Sequence, residues 1–332
     1  MTSLTIFSPS GVLRNAAPLR LATKRLRDLG FLVGVDEAAL LKHERFAGDD
    51  ATRLAALHRV AREAPAIAMA TRGGYGLTRL LDRIDWPLLA RSVERGTRWV
   101  GHSDMTALQL GLLAHAKAPS WAGPMACYDF GREDDRPQGR RLAATAPPRG
   151  TKETGGGPAF PCEHGEKRVA AVDDVTQACF VEAMGGELKA VGFRTETGSD
   201  GLVARGTLWG GNLCMVNSLL GTKHWPKITG GVLFLEDVNE HPYRIERNLL
   251  QLHQAGVLDA QKAVLLGAFS DWRKSSLDRG YTLKSALAHL RGLTRTPILT
   301  GLPFGHVPTK VCLPVGARVA LAVQGREVLI GW

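Results

Sequence analysis

The chain of 332 residues has no apolar run near the roughly 18 residues that a membrane-spanning helix needs, so no membrane partner is expected. Its five cysteines, Cys127, Cys162, Cys179, Cys214 and Cys312, are odd in number and scattered, with no CxxC pair. That speaks against both a disulfide framework and a zinc site. No HExxH or comparable ligand spacing occurs, so neither a metal nor another cofactor is expected. The first residues lack a basic segment followed by an apolar stretch, so no secretory signal is expected and a cytoplasmic location fits. Internal repeats are absent. Arg72-Gly-Gly-Tyr-Gly has neither the Walker nor the dinucleotide spacing, which leaves nucleotide binding without a motif.

What is present is ordinary for a folded α/β chain: 44% hydrophobic and 22% charged residues, enough to bury sizeable cores. The formal net charge of +10 raises nucleic acid as a partner. The basic residues are dispersed, however, and no zinc-finger, homeodomain or RNP pattern surrounds them. Dispersed charge reads as a solvated surface, with no nucleic acid expected, and it also suits electrostatic steering of small anionic substrates.

Apolar runs and helical periodicities alternate through the first 128 residues. Leu4-Thr-Ile-Phe opens as a strand; Leu19, Ala22, Leu26 and Leu29 share a helix face that Gly30 stops. Phe31 to Val35 reads as a strand, Ala51 to Ala64 as a helix, and Pro65 to Ala70 as a strand buried on both faces. This order predicts a doubly wound parallel sheet, whose ligands sit beyond the carboxyl ends of the strands. From residue 129 to 167, Gly, Pro, Arg, Asp and Thr dominate, and the composition predicts an interdomain connection. The remainder, 168–332, reads as a second, smaller and β-rich domain. In it, strands end at Glu236-Asp237 and at Ser270-Asp271, a helix runs from Pro242 to Gln254, and two strands flank Gln324-Gly325.

Candidate chemistry centres on Trp99-Val-Gly-His-Ser-Asp-Met-Thr, where a strand end meets a helix whose Met105, Leu108 and Leu112 share a face. Ser103 there is either a helix N-cap or a nucleophile at a sharp elbow, its hydroxyl exposed beside a helix N-terminus. A serine nucleophile needs a histidine base, and the base a carboxylate that fixes its tautomer. Glu236 and His306 fall at strand ends in the order serine, acid, histidine. Their alternatives are a turn cap for Glu236 or Asp237 and an ordinary histidine for His306. Asn212, in Gly210-Gly-Asn, is either a donor to substrate or the closure of a turn.

Three segments, Ala70-Thr-Arg-Gly-Gly-Tyr-Gly, Val100-Gly-His-Ser-Asp-Met-Thr and Phe234-Leu-Glu-Asp-Val-Asn-Glu-His-Pro-Tyr-Arg-Ile-Glu-Arg, resemble the LD-carboxypeptidase family of serine peptidases. Gly210-Gly-Asn-Leu and Leu302-Pro-Phe-Gly-His-Val are similar as well. The resemblance implies a flavodoxin-like or class I glutaminase-like first domain that supplies the serine, and a second domain that supplies Glu and His. It implies a triad of Ser103, Glu236 and His306, and an oxyanion hole from the backbone N–H groups of Gly74 and Asp104. It further implies a homodimer and release of a C-terminal D-alanine from murein tetrapeptides. Relatives on the same scaffold inactivate peptidyl-nucleotide antibiotics, and a non-catalytic basic binding protein is the remote alternative. His102 departs from the pattern, standing where a bulky aromatic residue is frequent.

Overall fold

The computed structural model describes residues 1–132 and 172–332. In the first part, β1 (Ser3–Phe7), α1 (Ala17–Asp28), β2 (Leu32–Val35), α2 (Asp50–Glu63) and β3 (Ile67–Ala70) alternate as expected. They continue into α3 (Trp86–Glu94), β4 (Arg98–Gly101), α4 (Met105–Ala116) and β5 (Ser120–Ala122). Local chemistry sets several of these boundaries. The Asp49 carboxylate accepts the Thr52 N–H at 2.7 Å to start α2, and Ala64 ends it in the left-handed region. All four residues of β3 are buried, because helices cover both faces of a parallel sheet.

The strand order β2-β1-β3-β4-β5 is fully parallel and is the flavodoxin-like order. The order reverses between β1 and β3. The loops after β1, β3 and β4 therefore converge at the carboxyl edge, where such sheets place their ligands.

The second part runs α5 (Asp174–Gly185), β6 (Ala190–Arg194), β7 (Val203–Asn212), α6 (Leu213–Leu219), β8 (Val232–Val238), α7 (Pro242–Gln254) and β9 (Ala263–Ser270). It closes with α8 (Leu283–Leu293), β10 (Ile298–Thr300), β11 (Leu313–Val315), β12 (Arg318–Gln324) and β13 (Glu327–Gly331). Seven of these strands form a mixed sheet in the order β10-β9-β8-β7-β12-β13-β6. Its β10-β9-β8-β7 half is parallel and the rest antiparallel. Helix α7 buries Ile245, Leu249 and Leu252, the face that the sequence predicts.

Three features differ from the sequence reading. The second half is not confined to its own sheet, because β11 pairs antiparallel with β5 at the edge of the first. Helix α5 likewise leans on the first part, with the Phe180 ring 5.6 Å from Phe31 and 5.2 Å from Phe130. Helix α4, expected to bury one face, is buried continuously from Met105 to Leu113, because it packs against α3 on one side and against α6 and β7 on the other. The expected connection at 129–167 falls mostly outside the described residues; its first residues finish a wide helical turn at Ala126–Phe130. Among the described residues no helix is long and apolar enough to cross a membrane.

Candidate active site

Ser103 follows the end of β4 with φ +62°, a left-handed conformation that a non-glycine residue adopts at a cost. A capping serine would place Oγ on an N–H of the first helical turn. Instead Asp104 occupies the cap position of α4, and Ser103 Oγ makes no hydrogen bond among the described residues. Asp104 does not cap with its side chain either. Its Oδ2 accepts Ser10 Oγ at 2.6 Å and the Leu77 N–H at 2.9 Å, tying the loops after β1 and β3 to the turn that holds Ser103. Burial pushes the Asp104 carboxyl above the usual carboxylate range, and these two donors oppose that shift. Ser103 thus does not cap α4, and its backbone makes a sharp turn between β4 and the helix.

The loop after β3 lies directly against the serine. A Cβ on Gly73 would sit 2.6 Å from both Cβ and Oγ of Ser103 and 3.2 Å from the Asp104 nitrogen. Only glycine permits that approach. The N–H groups of Gly74 and Asp104 have no acceptor among the described residues. Gly73→Ala is expected to displace the serine and lower kcat by about 10²-fold, the cost of a misplacement near 1 Å. Steady-state kinetics alongside thermal unfolding would check it; an alanine variant with the parent's rate would contradict the packing.

The acid and the histidine arrive from the second sheet. Glu236 lies at the carboxyl end of β8 opposite Asn212 of β7, and its side chain is fully buried. The His306 ring pairs with it, Nδ1 lying 2.7 Å from Glu236 Oε2. An ionised carboxylate can only accept, so Nδ1 carries the hydrogen and Nε2 keeps its lone pair. The His102 ring, adjacent in sequence to the serine, stands 4.9 Å from that of His306, which puts the pair beside the elbow. No hydrogen bond joins Ser103 Oγ to His306 among the described residues. Such contacts tighten only in the complex with substrate.

Asn212 closes the turn into α6, the second of the roles read for it, and also holds two carboxylates. Its amide nitrogen donates to Glu236 Oε1 at 3.2 Å and to Asp237 Oδ1 at 2.9 Å, while its Oδ1 accepts the Met215 N–H at the start of α6. With both amide hydrogens spent on carboxylates, the expected donation to substrate is replaced by orientation of Glu236. Burial pushes the Asp237 carboxyl up to about 6 despite its bonds to Val238, Asn212 and Cys214. The halves are coupled where a Cβ on Gly211 would meet Thr106 Oγ1 at 2.4 Å. In its absence Thr106 Oγ1, in the first turn of α4, accepts the Asn212 N–H at 3.0 Å.

Sequence reasoning missed the moorings of the histidine loop. Lys310, fully buried, donates from Nζ to Asp129 and, at 2.6 Å, to the carbonyl of Val307 next to the histidine. Thr176 Oγ1 of α5 donates to the Pro308 carbonyl at 2.8 Å, and Thr309 Oγ1 donates to Asp173 at 2.7 Å. A lone lysine within Val307-Pro-Thr-Lys-Val-Cys-Leu is the only local sign, and its partner lies 181 residues away.

His102 is also more than a substitute aromatic. Its Nδ1 donates to the Gly123 carbonyl at 3.0 Å, and its Nε2 is buried with no partner among the described residues. Burial, with the Lys310 and His306 charges adding to it, holds its pKa well below 6.5. As pH falls below about 6.5 the unfolded chain binds this proton before the folded one does, so the stability tied to a neutral His102 is full above that pH and is lost below it. His102→Phe is therefore expected to shrink the drop in urea midpoint between pH 7.5 and pH 5 relative to the parent. An unchanged drop would contradict the burial argument.

Elsewhere among the described residues no group of three or more His, Cys, Asp or Glu side chains is placed to hold a metal ion. What the site can do is move a proton from a hydroxyl to an imidazole that a buried carboxylate orients.

Profiles of the LD-carboxypeptidase N-terminal and C-terminal domains match residues 4–123 and 205–321. A probable murein peptide carboxypeptidase of Bacillus subtilis is 27% identical over 327 residues, covering 96% of this chain and 90% of its own. The crystal structure of a muramoyltetrapeptide carboxypeptidase from Oxalobacter formigenes superposes with a TM-score of 0.81 at 35% identity, covering 99% of this chain and 98% of that one. The microcin C7 self immunity protein MccF, in complex with aspartyl sulfamoyl adenosine, shares the fold with a TM-score of 0.78 at 19% identity, covering 100% of this chain and 96% of that one.

Proposed function

The chain belongs to the LD-carboxypeptidase family, and from that premise we propose that it is a serine carboxypeptidase that releases the C-terminal D-alanine from murein tetrapeptides by cleaving an L,D-peptide bond. One observation carries the mechanism: a strained elbow holds Ser103, whose hydroxyl has no hydrogen bond among the described residues, next to His102, whose ring is 4.9 Å from that of His306, and His306 is itself 2.7 Å from Glu236.

In this mechanism Ser103 Oγ attacks the carbonyl that precedes the terminal D-alanine while His306 Nε2 takes its proton. The tetrahedral oxyanion rests on the N–H groups of Gly74 and Asp104, which have no acceptor among the described residues. His306 then protonates the leaving amine of D-alanine, leaving an acyl ester on Ser103. Water, deprotonated by the same imidazole, hydrolyses that ester and regenerates the serine. Glu236 holds the tautomer and stabilises the imidazolium, and Asn212 in turn holds Glu236. We also assign the protein to cytoplasmic peptidoglycan recycling as a homodimer, a state that light scattering of the purified chain would check.

The deciding experiment incubates the protein with a murein tetrapeptide, the corresponding pentapeptide and a peptidyl-adenylate, with and without EDTA, and follows products by mass spectrometry. D-alanine released from the tetrapeptide, with EDTA making no difference, is the expected result. Cleavage of the peptidyl-adenylate alone would move the protein to the antibiotic-inactivating reading. Loss of turnover in EDTA with recovery on zinc would overturn the serine mechanism.

A further inference from the structure

Beside the catalytic pair lies a second concavity that the mechanism does not use. It has a volume of about 770 Å³ and opens at the carboxyl ends of β8 and β9, with Tyr243, Trp272 and Tyr281 on its walls. Volumes of this order suit a small-molecule site, and the carboxyl edge of parallel strands is where such sites lie. Asn239, on its lining, and Asp271, next in sequence to the lining residue Trp272, are non-glycine residues in left-handed conformations, at φ +61° and φ +59°. They are held together by the Asn239 N–H on the Ser270 carbonyl at 2.8 Å. Paired strain of this kind clusters at ligand sites.

The aromatic groups are arranged and not merely exposed. His241 sits between Trp272, edge-on at 5.4 Å, and Tyr243, tilted at 4.7 Å, and it is fixed by Asp278 at 3.0 Å. Tyr281 donates to Glu246. Tyr243 nevertheless remains 51% exposed, with His241 and the Arg244 guanidinium against its ring.

We propose that this cleft is the subsite for the sugar ring of a muramoyl-peptide, an inference that rests on the carboxypeptidase reading above. The chemistry favours a hydroxyl-rich ring: aromatic faces pack on its C–H groups, while Asn239, the Arg273 guanidinium and the carboxylates of Glu246 and Asp278 offer both donors and acceptors. The span agrees as well. In a muramoyl-tetrapeptide three residues separate the sugar from the attacked carbonyl, an extended reach of at most about 10 Å. Ser270 Oγ lies 3.4 Å from the His306 carbonyl, and Trp272 follows it by two residues, at most about 7 Å of chain. Trp272 thus lies within about the same reach of His306.

The test compares kcat/KM for D-alanine release from the tetrapeptide with and without an N-acetylmuramoyl group, in the parent chain and in Trp272→Ala and Tyr243→Ala. The parent is expected to prefer the sugar-bearing substrate by about tenfold, the worth of one good aromatic contact, and each variant to bring that ratio towards one. A ratio that stays at the parent's value in both variants, or a parent with no preference, overturns the subsite. Titration of the parent and of Trp272→Ala with N-acetylmuramoyl-L-alanine by saturation-transfer NMR keeps the two readings apart. Binding lost in the variant supports the subsite even if no peptide is cleaved. Equal binding to both, or binding to neither, overturns it, as does preferential binding of adenosine monophosphate at the same residues.

Discussion

Ser103→Ala is expected to lower kcat for peptide release by about 10⁴-fold or more, the usual cost of deleting a nucleophile that works with a base as one unit. The fold should not notice. Among the described residues Ser103 Oγ makes no hydrogen bond, so its removal strands no partner there, and alanine meets the same left-handed strain at φ +62° that serine already bears. Thermal unfolding within a few degrees of the parent, together with product formation near background by mass spectrometry, is the predicted pair of results. An alanine variant that hydrolyses at a tenth of the parent rate or better would show that another group attacks the carbonyl.

Lys310→Met carries the largest expected loss of stability. The ammonium is fully buried between Asp129 and the Val307 carbonyl, and the Asp129 carboxylate is itself almost wholly enclosed. Deleting the lysine leaves that carboxylate with the Met125 N–H, at 2.7 Å, as its remaining donor. Breaking one side of a buried pair costs about 3–5 kcal/mol, whereas replacing both sides with apolar groups is frequently neutral. Burial already pushes the Asp129 carboxyl upward, with Lys310 opposing the shift, so the variant should also take up a proton there at higher pH. Urea unfolding should place Lys310→Met well below the parent, with Asp129→Leu/Lys310→Met regaining most of the loss. Activity should not return with stability in the double variant, because the Val307 carbonyl beside His306 has lost its donor in both. A single variant as stable as the parent would refute the argument.

Much of the architecture follows from local pattern. Period and punctuation sufficed for α1, α2, β3 and α7, where one apolar face or one apolar run decides what is buried and where a proline, glycine or capping aspartate ends the element. The five elements not anticipated, α3, β5, α5, β6 and β11, are short or weakly patterned and owe their conformation to neighbours. The three residues of β11 become a strand because β5 offers an open edge, and α5 is shaped by Phe31 and Phe130 beneath it. Helix α4 was legible as a helix but not as a buried one. The residues that give it a second apolar side lie opposite α6 and β7, which the sequence places about a hundred residues later.

The candidate site divides in the same way. Ser103, Glu236 and His306 were legible as candidates because each stands in a recognisable motif; Ser103 follows β4 and Glu236 lies near the end of β8, but His306 lies in the loop between β10 and β11 and not at the strand end expected for it. Whether Ser103 caps or attacks depends on one torsion angle and on what Oγ touches, and only the folded chain fixes those. Asn212 shows the limit most clearly. Its sequence allows a turn or a ligand, yet its amide is consumed by two carboxylates that pairing of β7 with β8 brings alongside. By itself the sequence determined the fold class, the family and the candidates for the reactive groups, because these depend on side-chain chemistry and short-range periodicity. The tertiary structure decided how the serine is strained, how the acid is oriented and what moors the histidine. Those depend on Lys310 meeting Asp129 and Thr106 meeting Asn212, contacts between residues more than a hundred positions apart that no local pattern encodes.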